Sequence, residues 1–338
     1  MTIEQASGGF ALGVHSAEGI RYTTRRLRDV TSRIVEQRAL GTTGITVGAI
    51  AFGCWRFGGA DLATATRRIE TALDCGMTLI DTADVYGLDN NCPWGAAEAL
   101  LGDVLAASPT LRSHMILTTK GSIQLERGIG RGVPYDASAA HLSAACDASL
   151  TRLRTDVIDL YQIHRPDLLA HPADTAEALA ALVRAGKVRH VGVSNYTAAQ
   201  VSALRAHLPD DVPLRTVQPE FSVTHLDPID DGVLDQAMEL GLTPLAWSPL
   251  GGGSVVSDDP ADATTTTVRS LLDELAEKHD ATRTQIALAF VLAHPAKVIP
   301  IIGTGNPDRI RASAKAADIA LAKDDCYRLI AAAGRNLP

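Results

Sequence analysis

The chain has 338 residues, 46% apolar and 21% charged, and its 31 basic and 39 acidic side chains leave a net charge of −8 with histidines neutral. The apolar fraction fills a large core and excludes a mostly disordered chain. The acidic balance argues against non-specific nucleic-acid binding. At about 150 residues per domain the length suggests two domains, yet α/β barrels use about 250 in one. Only six of the 31 basic residues are lysines, and Lys120 is the sole lysine before position 187. A genome rich in G and C produces such a bias without functional meaning, but it makes a lone lysine worth tracing.

The first 19 residues carry Glu4 and only a short apolar stretch at 10–14, unlike a signal peptide. An arginine-rich stretch, RYTTRRLRDVTSRIVEQR, comes next. Residues 1–36 read as a partly ordered leader, or an arm that touches a partner, ahead of one domain at 37–338. No run approaches the roughly 18–20 apolar residues of a membrane helix. The five cysteines, Cys54, Cys75, Cys92, Cys146 and Cys326, form no CxxC pair and do not read as a disulfide framework. A cytoplasmic protein is expected, alone or as a weak homo-oligomer, with no nucleic-acid or membrane partner.

Residues 38–48, RALGTTGITVG, predict a hairpin around Thr42-Thr43-Gly44 that could plug the bottom of a barrel. Thereafter short apolar runs alternate with amphipathic, alanine-rich stretches. The strand runs are 49–52, 77–81, 115–120, 157–163, 188–193, 215–218, 243–247 and 298–302. Helices are predicted over 62–75, 95–105, 137–153, 172–185, 198–207, 233–240, 267–279 and 284–293, with another at 323–334. Leu142, Ala145, Ser149 and Leu150 show the 3–4 spacing of one buried helix face. The strand runs are near-continuously apolar, as in strands covered on both faces. Eight strands with helices between them fit an α/β class (β/α)8 TIM barrel, with an N-terminal hairpin and extra helices before strand eight and at the C-terminus. An open doubly wound sheet is the alternative.

Barrel chemistry sits at the C-terminal ends of strands. Those ends carry Asp81 and Tyr86, Lys120, His164, Ser194 and Asn195, Gln218, and Trp247. Successive intervals of 39, 44, 30, 24 and 29 residues from Asp81 to Trp247 each match about one βα unit, so these side chains can converge on one mouth. Each has a bland reading: Asp81 as a helix N-cap, Tyr86 as a loop aromatic, Lys120 as a surface charge, His164 as a core histidine bonded to backbone. The glycine-rich 128–132 opens no helix and lacks the context of a dinucleotide fingerprint. The ten histidines include no HxH or HxxxH pair, so no metal site is expected.

The ordered motifs DTADVYG, TTKGS, DLYQIHRPD, GKVRHVGVSN, VQPEFS, AWSPLGGG and VIPIIGTGNPDRIRAS resemble the aldo-keto reductase superfamily over about residues 37–335, closest to a bacterial branch of oxidoreductases. The resemblance implies NADPH across the barrel mouth, hydride transfer to a small-molecule carbonyl, and a proton from Tyr86. It assigns Lys120 to lowering the tyrosine pKa, Asp81 to pairing with that lysine, and His164 to bonding the carbonyl oxygen. It also implies Ser194, Asn195 and Gln218 on the nicotinamide carboxamide, Trp247 stacked on its face, and Ser248, Leu250 and Gly251 near the pyrophosphate. Gly303, Thr304, Arg309 and Ser313 match the segment that holds the 2′-phosphate.

Two departures matter. Many relatives carry a lysine near Ile302 and an asparagine where Ser313 stands, so NADPH is expected with NADH as the alternative. No long C-terminal loop like that of well-studied reductases is expected after the 323–334 helix, so Cys54, Trp55, Arg56, Trp94 and the 88–94, 122–135 and 251–263 loops are the expected pocket walls. Arg56, Arg165, Arg127 and Arg131 read as surface charge, or as a preference for an anionic or heavily oxygenated substrate. Asp84 is expected to shape its loop. A cofactor-binding regulatory subunit of the same fold is the runner-up, its interaction arm the leader. A lysine-based aldolase is disfavoured because a Schiff-base lysine must be neutral, and Asp81 keeps Lys120 charged.

Overall fold

The computed structural model of the chain describes residues 36–124, 135–259 and 261–337. Almost all of the expected leader, the glycine-rich 128–132, Arg127 and Arg131 lie outside the described residues. Strands β1 (Gln37–Ala39) and β2 (Thr46–Gly48) form the hairpin, with Arg38 opposite Val47. Eight further strands complete the set: β3 (Ala51–Gly53), β4 (Leu79–Asp81), β5 (Ile116–Gly121), β6 (Ile158–Ile163), β7 (Val188–Ser194), β8 (Leu214–Gln218), β9 (Thr243–Ala246) and β10 (Ile299–Ile302). They pair in parallel and close when β10 joins β3 through Ile301–Ala51 and Ile302–Phe52. That closure excludes the open sheet.

The helices are α1 (Leu62–Asp74), α2 (Ala96–Ala107), α3 (Ala139–Leu153), α4 (Pro172–Arg184), α5 (Ala198–Arg205), α6 (Asp227–Asp230), α7 (Val233–Leu240), α8 (Ala263–Lys278), α9 (Arg283–Ala293), α10 (Pro307–Ala314) and α11 (Lys323–Ala332). Their starts obey capping chemistry. Thr197 with Gln200 and Thr282 with Gln285 form reciprocal capping boxes for α5 and α9. Helix α8 begins four residues earlier than expected. Asp262 accepts from the Thr265 backbone at 2.9 Å and its hydroxyl at 2.7 Å, so a threonine run of modest helix propensity starts the helix. The short α6, and 3₁₀ turns at Trp55–Phe57 and Pro109–His114, were not predicted.

The strand alternation divides the core in two. Ala51, Leu79, Ile116, Leu160, Leu245, Ile299 and Ile301 form an inner cluster with Leu40 and Val47 of the hairpin region. The hairpin therefore plugs the barrel bottom, and Arg38 ties it down through the carbonyls of Val298 and, at 3.0 Å, Leu292. Neighbouring residues such as Ile80, Leu117, Tyr161 and Val193 face outward into the helix layer. This sealed floor leaves the opposite end of the barrel for polar residues. Among the described residues no helix is long and apolar enough to cross a membrane.

Leu160 is fully buried in the inner cluster. Leu160→Ala is expected to lower stability by about 2–5 kcal/mol, the range for a buried leucine whose cavity does not collapse. Urea unfolding with an unchanged m-value checks this; a loss below about 1 kcal/mol would show that the layer is loosely packed.

Candidate active site

Residue parity along the strands sets the site. With Leu79 and Ile116 facing the barrel interior, Asp81 and Lys120 face it too, two and four residues further toward the mouth. Both are buried. The Lys120 ammonium donates to Asp81 Oδ2 at 2.7 Å, the Thr82 carbonyl at 2.9 Å and Tyr86 Oη at 3.1 Å. These three acceptors match the three N–H bonds of an ammonium. Asp81 Oδ1 accepts from Gln218 Nε2 at 3.1 Å. A buried charge pair is tolerable only with such complete satisfaction. Burial pulls the Lys120 pKa down, but Asp81 and Tyr86 outweigh it and the net shift is upward. Lys120 therefore stays an ammonium at neutral pH.

Tyr86 is half-buried, with Lys120 Nζ also 4.8 Å from its ring centroid. Because Lys120 donates to Oη, the phenol's own hydrogen is available to another acceptor. From the sequence, the ammonium was expected to lower the phenol pKa toward neutrality. The structure differs: burial raises it by more than Lys120 lowers it, and Asp81 adds to the rise. In this state Tyr86 is held as a protonated phenol.

His164 comes directly after β6, its backbone N–H bonded to the Gly121 carbonyl at 2.7 Å. Its ring stands edge-on to Tyr86, with centroids 5.8 Å apart and planes at 81°. Burial, then Lys120 and Arg165, hold its pKa well below the ordinary histidine value. It is a neutral imidazole, and Nδ1 is buried without a hydrogen-bond partner.

Ser194, Asn195, Gln218 and Trp247 come together as expected. Ser194 Oγ donates to the Gln218 carbonyl at 2.9 Å, and Asn195 Nδ2 donates to Ser194 Oγ at 2.9 Å and the His164 carbonyl at 3.0 Å. Trp247 Nε1 donates to Asn195 Oδ1 at 3.0 Å, and the Arg165 guanidinium lies 5.7 Å from the Trp247 ring. Asn195 and Ser248 take left-handed backbone conformations, φ 59° and 47°. Beyond Leu250, Gly251 to Gly253 all have positive φ. A Cβ on Gly252, Gly253 or Gly303 would meet no atom within 4 Å.

Open backbone at two loops, an amide cluster beside an indole face, and the exposed Arg309 fit a dinucleotide in donor chemistry and in space. Thr304 is half-buried in the loop before α10, whereas Ser313 is buried on α10 and less suited to meet a phosphate. The expected pocket walls stand in different surroundings. Trp55 and Arg56 are exposed, the Arg56 guanidinium 5.6 Å from the Trp55 ring. Cys54 is fully buried and so forms no pocket wall. Trp94 instead borders a cavity of about 250 Å³ with Asp84, Gln124, His141 and Arg152.

A buried cluster behind the site was missed in the sequence. Glu98 on α2 is fully buried and accepts from Thr119 Oγ1 at 2.5 Å and from Arg152 Nε at 2.7 Å. An acid on an alanine- and leucine-rich helix was its only sequence signal. Among the described residues, no group of three or more side chains is arranged to hold a metal ion.

A neutral His164 implies a stability trend. Its folded pKa lies below the unfolded value of about 6.5, so the unfolded state binds more protons as pH falls through that value. Folding should weaken there, not strengthen. Imidazole NMR should show His164 uncharged at about pH 6, and a ring already protonated at about pH 6.5 would contradict this environment.

The profile of the Aldo/keto reductase family matches residues 49–333. A 6-dehydroglucose reductase of Novosphingobium aromaticivorans is 48% identical over 304 residues, covering 89% of this chain and 97% of that protein. A second 6-dehydroglucose reductase, from Agrobacterium fabrum, is 36% identical and covers 87% of this chain and 96% of that one. The crystal structure of the thermostable aldo-keto reductase Tm1743 with the inhibitor epalrestat superposes with a TM-score of 0.74 at 29% identity, covering 88% of this chain and 99% of that one. With the closed barrel and its mouth, these similarities establish that the chain belongs to the aldo/keto reductase family and is an NAD(P)H-dependent oxidoreductase.

Proposed function

We propose that the chain reduces an aldehyde or ketone to an alcohol with NADPH, and that Tyr86 is the proton donor. The observation that carries this reading is the unbroken chain Asp81–Lys120–Tyr86, at 2.7 and 3.1 Å, beside a neutral His164. A bound reduced nicotinamide supplies a hydride to the carbonyl carbon. Tyr86 Oη gives its proton to the carbonyl oxygen as that oxygen gains charge, and the fixed Lys120 ammonium stabilises the resulting phenolate. His164, neutral and carrying one N–H, donates a hydrogen bond to the same oxygen without adding a charge. Ser194, Asn195 and Gln218 would hold the carboxamide, Trp247 would cover the ring, and the loop of Ser248, Leu250 and Gly251 would meet the pyrophosphate. The complete chain from Asp81 to Tyr86 argues against a purely regulatory subunit.

The names of the two relatives suggest the substrate class: a sugar carrying an aldehyde outside its ring. The 2′-phosphate end supports NADPH over NADH through Arg309, which is exposed at the first turn of α10 and can fork onto a phosphate. Gly303 and Thr304 lie in the loop that leads into that turn, and Ser313 is the weakest member of the group.

Tyr86→Phe removes the acid while keeping the ring. It should lower kcat by about 10²–10⁴-fold and leave NADPH affinity, read by tryptophan fluorescence, near wild type. Carbonyl reduction that survives the substitution, monitored as loss of nicotinamide absorbance, would remove Tyr86 from the mechanism. Arg309→Ala should weaken NADPH about 10–100-fold, as expected for one charge-assisted contact of about 1.5–3 kcal/mol, and leave NADH binding unchanged. Equal losses for both would refute the phosphate assignment.

A further inference from the structure

The Lys120–Tyr86 contact joins two segments whose backbone ladder ends at the bond from the Asp84 N–H to the Lys120 carbonyl, two residues before Tyr86. Lys120 is on β5, whereas Tyr86 is on the loop after β4, beyond the last strand pairing of Asp81 with Thr118. One turn of α2 touches both. The Ala97 backbone N–H donates to the Tyr86 carbonyl at 3.1 Å. The next residue, Glu98, accepts at 2.5 Å from the hydroxyl of Thr119, the neighbour of Lys120. A helix turn is stiff, so two consecutive residues fix the spacing of the segments they hold.

Glu98 is itself clamped. Its Oε2 lies 2.7 Å from both Nε and Nη2 of Arg152, and accepts from Ser149 Oγ at 3.3 Å. Both partners are on α3. The close approach is built in. A Cβ on Gly95 would stand 2.5 Å from the Arg152 side chain, and one on Gly102 only 2.0 Å from the Arg152 carbonyl. The loop side is closed by Asp84, whose N–H bonds the Lys120 carbonyl at 3.1 Å. Burial, and then the nearby Glu98, push the Asp84 carboxyl well above the usual carboxylate range.

We propose that Glu98, held by Arg152, is a positioning residue that sets the Lys120–Tyr86 distance through Thr119 and α2. This rests on the reading of Tyr86 as the acid. Glu98 touches neither cofactor nor carbonyl. It acts by fixing how strongly the ammonium supports the phenolate.

Thr119→Val tests this, because it removes the donor with little change of shape, and Thr119→Ser restores a hydroxyl. The charged and titratable groups facing the Tyr86 phenol are Lys120, Asp81, the Cys54 thiol and the neutral His164 ring. Those facing Glu98 are Arg152, Asp84, Tyr161 and the more distant Cys146. Thr119→Val leaves all of these charges in place, so any change in the phenol reflects distance. The expected result is a fall in kcat of about tenfold, an unchanged dissociation constant for NADPH, and a basic limb of the pH–kcat profile moved to higher pH. Thr119→Ser should recover most of kcat. Glu98→Gln should repeat the loss in part, with lower thermal stability because Arg152 loses its partner. A Thr119→Val enzyme with a lowered Tm but wild-type kcat and pH profile would overturn the proposal and leave the cluster purely structural. Tyr86→Phe, run in parallel, separates the failures: if it stays active, the acid assignment falls and not merely its positioning.

Discussion

The buried ion pair of Lys120 and Asp81 is the constraint on which the rest of the mouth depends. An ammonium removed from water is unfavourable by several kcal/mol unless its charge and all its N–H bonds are satisfied. Asp81, the Thr82 carbonyl and Tyr86 do this together. That requirement fixes where the Tyr86 hydroxyl sits and which way its hydrogen is available. It also bears on His164, because the ammonium helps keep the imidazole neutral. One charge thus shapes both groups proposed to act on the carbonyl oxygen.

The fold separates stability from chemistry along the barrel axis. At the bottom, the hairpin and an apolar layer of aliphatic side chains close the barrel. Toward the mouth the same interior-facing positions turn polar, as Asp81, Lys120, Ser194 and Gln218, all buried on strands. Rigid strands hold these groups more firmly than loops do, which electrostatic preorganisation needs. Tyr86 is the exception, being on a loop, where its carbonyl accepts from the Ala97 N–H of α2. Trp247 is tied to Asn195, so the proposed stacking surface is joined to the amide cluster rather than standing alone.

Much of this was legible in the sequence, for reasons that differ by residue. Short apolar runs and intervals of about one βα unit placed Asp81, Lys120, His164 and Gln218 at strand ends, because run length and spacing along the chain are local properties. The scarcity of lysine singles out Lys120, which lies at the centre of the buried site. Other features depended on three-dimensional balances. The pKa of Tyr86 moves opposite to the expectation because burial outweighs a charge 3.1 Å away, and burial has no local signature. Glu98 has no such local signal, because its clamp, Arg152, lies 54 residues away. Cys54 sits in the expected loop yet is buried in the core, and Trp94 borders a cavity together with Asp84 and Gln124. The α8 boundary moved because one capping carboxylate overrode the weak propensity of a threonine run.

Asp81 and Lys120 are held to act as one unit in support of Tyr86. A double-mutant cycle of Asp81→Asn and Lys120→Met, read as kcat/KM for carbonyl reduction, tests this most directly. Either substitution alone should lower kcat/KM by about 10²-fold or more, and the double variant should be no worse than the worse single one. Losses that multiply would contradict the single unit, since two groups acting independently do not share one ammonium.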